Sequence, residues 1–190
     1  MPRAGVTTDR VVEEAELLAD EVGLADVSLA RIADRLEIRV PSLYKHIAGL
    51  DALHRLVEAR AKSELADTVA RAAVGVAGGD AMDALSRAYR DWAKRHPGRY
   101  TATLKAPDAD DEASVVASGA AIQVIFDALA GYGLTGADAI DATRMFRSAL
   151  HGFVALEAAG GFGLPQDVDR SYARMVDALK RSLAGWGEQS

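Results

Sequence analysis

The stretch from Ser28 to Ile47 constrains the fold more than any other part of this 190-residue chain. Its first half places apolar residues at helical spacing behind Ser28, whose hydroxyl suits a helix N-cap. Glu37-Ile38-Arg39 interrupts that pattern, with Ile38 expected to be buried. A second helix is predicted from about Val40, because proline is tolerated in a first helical turn. The stretch therefore predicts two short helices joined by a tight turn.

The second of these helices is predicted to bury Leu43 and Ile47, which lie four residues apart. Its other side chains point outward and are small, aromatic or cationic. A short helix of this kind, braced by a second helix, has the geometry of a recognition helix in the DNA major groove. The outward set is Arg39, Val40, Pro41, Ser42, Tyr44, Lys45 and His46. Taken alone, the run from 44 to 46 also fits an ordinary solvated helix face.

The segment Leu36–Ile47, LEIRVPSLYKHI, resembles the recognition signature of tetracycline-repressor-like (TetR/AcrR) regulators. The Ile32-Ala33 pair before it and Leu53 after it fit the same pattern. Two positions depart from the signature. Ile47 replaces the aromatic residue that usually closes the motif, and Leu50 stands where a lysine is often found. If Leu50 occupies that position, one expected contact to the DNA backbone is missing.

This resemblance implies an all-α fold of about nine helices. Residues 1–49 would form a three-helix, helix-turn-helix DNA-binding bundle, and residues 50–190 a larger helical domain for ligand binding and dimerisation. It also implies that Ser28, besides capping its helix, holds a DNA phosphate, and the two roles are compatible. The expected base-edge contacts are Val40, Pro41 and Ser42, with Arg39 reaching a guanine or a phosphate and Tyr44, Lys45 and His46 holding the backbone.

The charge balance weighs against nucleic-acid binding. The formal net charge is -6, and residues 1–60 hold 8 Lys and Arg against 11 Asp and Glu. Neutralising phosphates supplies much of the affinity for DNA, so an acidic domain binds it poorly. The distribution is more favourable, because residues 31–55 hold five cations and three anions. The acids of the first helix can point away from DNA. We expect modest non-specific affinity and a reliance on dimerisation.

Two adjacent helices near the end of the chain have surplus apolar surface. One is predicted over Ala137–Ala159, with a strip of small residues, and the other over Asp167 to about Trp186. Such a pair meets the needs of a two-fold, four-helix dimer interface. The predicted interface residues are Ala149, Gly152, Ala155, Tyr172, Met175, Leu179 and Leu183.

The C-terminal part also resembles one TetR subgroup, which has a Trp-His-Gly motif where this chain has Leu150-His151-Gly152. His96-Pro97-Gly98 fits the same subgroup. The aromatic residues of this part either fill a core, as the pattern alone favours, or line the small-molecule pocket that the resemblance implies. The pocket candidates are Tyr89, Trp92, Tyr100, Leu104, Phe126, Phe146 and Phe153. His151 fits a packed core histidine better than a ligand-binding group.

Several other classes of protein find little support. The chain has no Cys, which agrees with a reducing cytoplasm, and no apolar run reaches the length of a membrane span. Its four histidines form no metal pair at helical spacing, and no phosphate loop or nucleophile elbow occurs. The acids Asp108, Asp110, Asp111 and Glu112 lack the glycine and terminal glutamate of a calcium loop, so we expect a solvated loop there. We expect no enzyme activity, cofactor or metal.

The sequence therefore favours a cytoplasmic, ligand-responsive transcriptional regulator, most often a repressor in the family that it resembles. Its expected partners are the double-stranded DNA of a palindromic operator, a second copy of the chain and a small apolar or amphipathic effector. The alternative is a helical small-molecule binding protein with a vestigial helix-turn-helix. The acidic first 60 residues and Leu50 motivate that alternative.

Overall fold

The computed structural model describes residues 5–106 and 112–186, and in this part of the chain all regular secondary structure is helical. The all-α prediction is confirmed. A 3-10 turn occupies Leu24–Asp26. The α-helices are α1 (Thr8–Val22), α2 (Leu29–Arg35), α3 (Val40–Leu43), α4 (Leu50–Ala72), α5 (Gly78–Arg95), α6 (Pro97–Ala102), α7 (Glu112–Ala130), α8 (Gly136–Ala158) and α9 (Val168–Trp186).

The first helices begin and end at residues whose chemistry favours a helix boundary. The Thr7 hydroxyl accepts a bond from the Arg10 amide at the start of α1, and Ser28 does the same for the Arg31 amide in α2. Gly23 ends α1 with a φ of 90°, a backbone angle that glycine adopts without strain. These caps allow helices too short to be stable alone to hold their ends while they pack.

The second helix of the predicted pair is shorter than expected. Regular α-helix covers only Val40–Leu43, and the chain continues to Ile47 as turns in which the amides of His46 and Ile47 both reach the Leu43 carbonyl. Leu43 and Ile47 are buried as predicted. Leu29, which we expected in the same core, is only half-buried because it lies in the first turn of α2.

The described chain divides into two compact units. The first holds residues 5–63, 95–106 and 112–117, and the second holds 64–94 and 118–186. This division differs from a boundary at residue 49, because the first turns of α4 and the whole of α6 belong to the first unit. The chain therefore crosses between the units within α4, at the end of α5 and within α7.

Backbone contact at Gly98 places α6 in the first unit. A Cβ atom at this position would lie 1.9 Å from the carbonyl oxygen of Ala19 in α1, so only glycine permits the observed approach. Beside this contact, the Asp20 carboxylate accepts bonds from the backbone amide of Arg99 at 2.9 Å and from its Nε at 2.7 Å. The first turn of α6 is thus fastened to the last turns of α1.

The second unit packs α5, α8 and α9 around a buried arginine. Arg90 of α5 pairs with Glu157 of α8 and with Asp169 of α9, and its guanidinium lies 4.7 Å from the ring centroid of Tyr172. The Tyr172 hydroxyl donates to the Ser86 carbonyl at 2.7 Å. Burial raises the pKa of this phenol, so it remains a donor well into the alkaline range.

Among the described helices, none combines the length and the apolar content that crossing a bilayer requires. Three acids of the predicted solvated loop, Asp108, Asp110 and Asp111, lie outside the described residues, while Glu112 is exposed at the start of α7.

Candidate nucleic-acid interface

The turn between α2 and α3 sets the direction of the second helix. Glu37 has a φ of 54°, in the left-handed region that side-chain-bearing residues rarely adopt. Ile38 then returns its amide to the Ala33 carbonyl at 2.9 Å, and its side chain is half-buried rather than fully enclosed. This turn reverses the chain in four residues, so that residues 40–47, here called the recognition segment, begin immediately beyond it.

Every residue predicted to contact DNA keeps part of its surface open to solvent. Arg39, Pro41, Tyr44 and Lys45 are exposed, and the Tyr44 side chain is 59% accessible. The half-buried members of the predicted set are Ser28, Val40, Ser42 and His46. The structure therefore brings the set together on one continuous stretch with a free outer surface. The contacts with DNA themselves stay predictions.

Helix α1 holds the end of the recognition segment. The Thr8 hydroxyl donates to the His46 carbonyl at 3.0 Å, across 38 residues of chain. This contact satisfies a carbonyl that the short helix leaves unpaired. The pattern analysis used this part of the chain only as a helix cap, and nothing in its periodicity indicates a bond to a distant backbone oxygen.

The acids of α1 are neutralised by specific partners rather than by pointing into open solvent. Ion pairs join Glu13 and Glu14 to Arg10, Glu14 and Glu21 to Arg35, Glu16 to Arg60, and Asp20 to Arg99. The bond from Arg35 also holds the pKa of the Glu21 carboxyl below its ordinary value. These pairs reduce the repulsion that the acidic composition of this unit would exert on phosphates.

The same pairs change which cations are available for DNA. Arg35 was counted among the cations near the recognition segment, but it is committed to two carboxylates of α1. Arg31 donates to the backbone carbonyl of Asp26 at 3.2 Å. In the described part of the first unit, Arg39, Lys45 and Arg55 are exposed and have no carboxylate partner. Two of these three flank or belong to the recognition segment.

The predicted pocket residues are distributed over both units. Tyr100 and Leu104 lie in the first unit, and the others lie in the second. Trp92, Tyr100 and Phe146 are buried, whereas Leu104 is 36% exposed. The half-buried members are Tyr89, Phe126 and Phe153. Phe153 packs its ring against Phe162 and Tyr172 beside Arg90. A ligand role for these residues stays a prediction.

Two of the residues predicted for the dimer interface lie inside their own protomer. Tyr172 is 4% exposed and Leu183 is 0% exposed, because both face the packing of the second unit. Their assignment to the interface is wrong. The remaining candidates retain accessible surface: Ala149, Gly152, Met175 and Leu179 are half-buried and Ala155 is exposed.

Comparison with known proteins gives a consistent assignment. Residues 82–179 match the family model described as "Tetracyclin repressor-like, C-terminal domain". The chain is 36% identical over 184 residues to the HTH-type transcriptional regulator Rv0681 of Mycobacterium tuberculosis, covering 96% of this chain and 82% of that protein. It is 35% identical over 183 residues to the HTH-type transcriptional regulator YobS of Bacillus subtilis, covering 96% and 95%.

The fold has solved counterparts as well. The crystal structure of the regulatory protein SCO4313 superposes with a TM-score of 0.74 at 25% identity, and the match covers 90% of this chain and 94% of that one. Both halves of the chain are therefore accounted for, the helix-turn-helix by the two regulators and the C-terminal part by the family model. This chain belongs to the TetR family of helix-turn-helix transcriptional regulators.

Proposed function

We propose that this protein is a ligand-responsive repressor that binds a palindromic operator as a homodimer in the cytoplasm. The observation that carries the proposal is the recognition segment, whose outward side chains are accessible beside unpaired cations while the nearby acids are paired. Two such segments, one from each protomer, would enter successive major grooves about one helical turn apart. The protein would act by binding alone, without catalysing a reaction.

The effector part of the proposal concerns the second unit. The match of residues 82–179 to a repressor-type C-terminal domain supports a small apolar or amphipathic ligand there. A ligand can release DNA only if it binds one conformation of the protein better than the other. The size of the response equals that difference in affinity, typically about 1–3 kcal/mol for coupled sites.

The proposal is tested by measuring binding to the DNA that flanks the gene for this protein. Fluorescence anisotropy at two salt concentrations should show a saturable complex that weakens with salt, because counterions are released from contacted phosphates. The variant Arg39→Ala should weaken that complex. Arg87→Ala is the matched control, since Arg87 is an exposed arginine of the second unit without a carboxylate partner among the described residues.

Two results would contradict the proposal. Equal binding by wild type and Arg39→Ala would remove the recognition segment from the interface. Weak, sequence-independent binding by a protein that remains dimeric would favour a small-molecule binding protein with a vestigial helix-turn-helix. Half-buried Leu50, at the position where the family often has lysine, is the feature that favours this second function.

A further inference from the structure

Helix α1 is fastened at both of its ends to elements that lie far from it in sequence. At its first turn, the Thr8 hydroxyl holds the His46 carbonyl at the end of the recognition segment. At its last turn, Asp20 holds Arg99, and the backbone of Ala19 receives Gly98. One helix therefore contacts both α6 and the recognition segment.

The middle of α1 is fastened as well, which limits its movement relative to the helix-turn-helix. Arg35 at the end of α2 bonds to Glu14, and it bonds to both oxygens of Glu21 at 2.7 and 3.0 Å. The helix has 15 residues and so spans about 22 Å. A continuous helix of this length moves as a rigid element, so a displacement at Asp20 also displaces Thr8.

We propose that Asp20 is a positioning residue for DNA recognition, because it fixes α1 to α6 while α1 fixes the recognition segment through Thr8. This inference rests on the proposed function for its biological meaning. The chain enters α6 directly from α5, most of which lies in the second unit. A change in α5 then reaches the recognition segment through α6 and α1, by a route separate from α4, which follows the recognition segment in the chain.

Amide hydrogen exchange on the full-length protein tests this route. In Asp20→Ala, exchange should accelerate in α6 and also about threefold or more in the recognition segment, since its last carbonyl loses a fixed support. Exchange in residues 50–56 of α4 should stay unchanged. Asp20→Asn should show a smaller effect, because its amide oxygen still accepts the bond from the Arg99 backbone amide.

Three further variants separate positioning from a general loss of stability. Asp83→Asn removes another interhelical ion pair, with Lys180 in the second unit, and should leave the recognition segment unchanged. Thr8→Val removes the hydroxyl at the other end of α1. In a Thr8→Val background, Asp20→Ala should no longer change exchange in the recognition segment. If Asp20→Ala does not fold, Arg99→Gln makes the same comparison, because it keeps the backbone amide and removes only the guanidinium.

The proposal is overturned if exchange changes only in α6 and at the end of α1. It is also overturned if the effect on the recognition segment persists without the Thr8 hydroxyl. These measurements need neither operator nor effector. A protein that fails to bind DNA could therefore still show the α1 route, and a DNA-binding protein could lack it.

Discussion

The Arg90 guanidinium and the Glu157 carboxylate face each other in a two-point ion pair, with both nitrogen-to-oxygen distances at 2.7 Å. Arg90 is only 8% exposed, and its bonds hold the pKa of Glu157 below the ordinary value of 4.5. Because the folded-state pKa is depressed, the pair contributes stability that is fully present above pH 4.5. That contribution is lost as the pH falls through the lower, folded-state pKa.

The variant Glu157→Gln should therefore destabilise the protein at neutral pH more than in acid. The expected loss at pH 7 is about 1–2 kcal/mol, since Arg90 keeps its pair with Asp169. Urea unfolding at pH 7 and pH 3.5 measures both values. Asp141→Asn is the control, because its pair with Arg144 is exposed and should contribute little. An equal loss at both pH values would contradict the electrostatic role of Glu157.

Glu37 carries strain that a glycine would relieve. With a φ of 54°, Glu37→Gly should raise the free energy of unfolding by about 0.5–1 kcal/mol, after the cost of extra freedom in the unfolded chain. Glu37→Val should have the opposite sign, because a β-branched residue tolerates this conformation poorly. Thermal unfolding of the three proteins checks the order Gly, Glu, Val. A more stable Val variant would show that the turn does not retain this angle.

Gly98 tests the contact between α6 and α1. Gly98→Ala forces a shift, because its Cβ would lie 1.9 Å from a backbone oxygen, and the expected loss is about 1–3 kcal/mol. Gly119→Ala is the control, since no heavy atom lies within 4 Å of its added Cβ and alanine favours the helix interior by about 0.5–1 kcal/mol. Denaturant titration should show opposite signs for the two variants. A neutral Gly98→Ala would mean that α6 is not seated on α1.

Gly152 offers a direct test of the predicted dimer interface. Within the protomer, an added Cβ at this position meets no heavy atom within 4 Å, so Gly152→Ala should stabilise α8 by about 0.5–1 kcal/mol. If another backbone approaches the small-residue strip, the same methyl group should weaken the dimer about tenfold. Sedimentation equilibrium measures the dimer dissociation constant. A stabilised protein with an unchanged dimer would place the interface elsewhere.

Lys45 and Ser42 should affect DNA binding in different ways. Lys45→Ala removes an exposed cation and should weaken binding to all sequences, with a salt-dependence slope lower by about 1 per lost phosphate contact. Ser42→Ala should mainly change sequence preference. Titrations against an operator and a scrambled duplex at several salt concentrations compare the two. Equal losses on every duplex for both variants would reject these roles.

Local patterns were sufficient for much of the fold. The Ser28 cap, the end of α1 at Gly23 and the burial of Leu43 all follow from side-chain chemistry and spacing within one turn of helix. Tyr172 could not be placed in the same way. Periodicity shows that its side of α9 is apolar, but it does not show whether α5 and α8 or a second protomer covers that side.

Long-range partners account for the remaining differences. Arg35 was interpreted as a cation available to DNA because its two carboxylate partners lie 14 and 21 residues earlier, beyond the reach of any local pattern. The motif at Gly98 was interpreted as a break between helices. The break is real, but the need for glycine comes from the Ala19 carbonyl in a helix about 80 residues away in sequence.

The internal pairing of the α1 acids has a consequence for how fast this protein finds DNA. The whole chain still carries a net charge of -6, so its monopole is repelled by a duplex at distances where individual pairs cannot be distinguished. The unpaired cations act only at short range, where they orient the protein as a dipole. Added salt screens the long-range repulsion before it weakens close contacts. The association rate constant should therefore pass through a maximum at intermediate ionic strength, instead of falling steadily as it does for a basic protein.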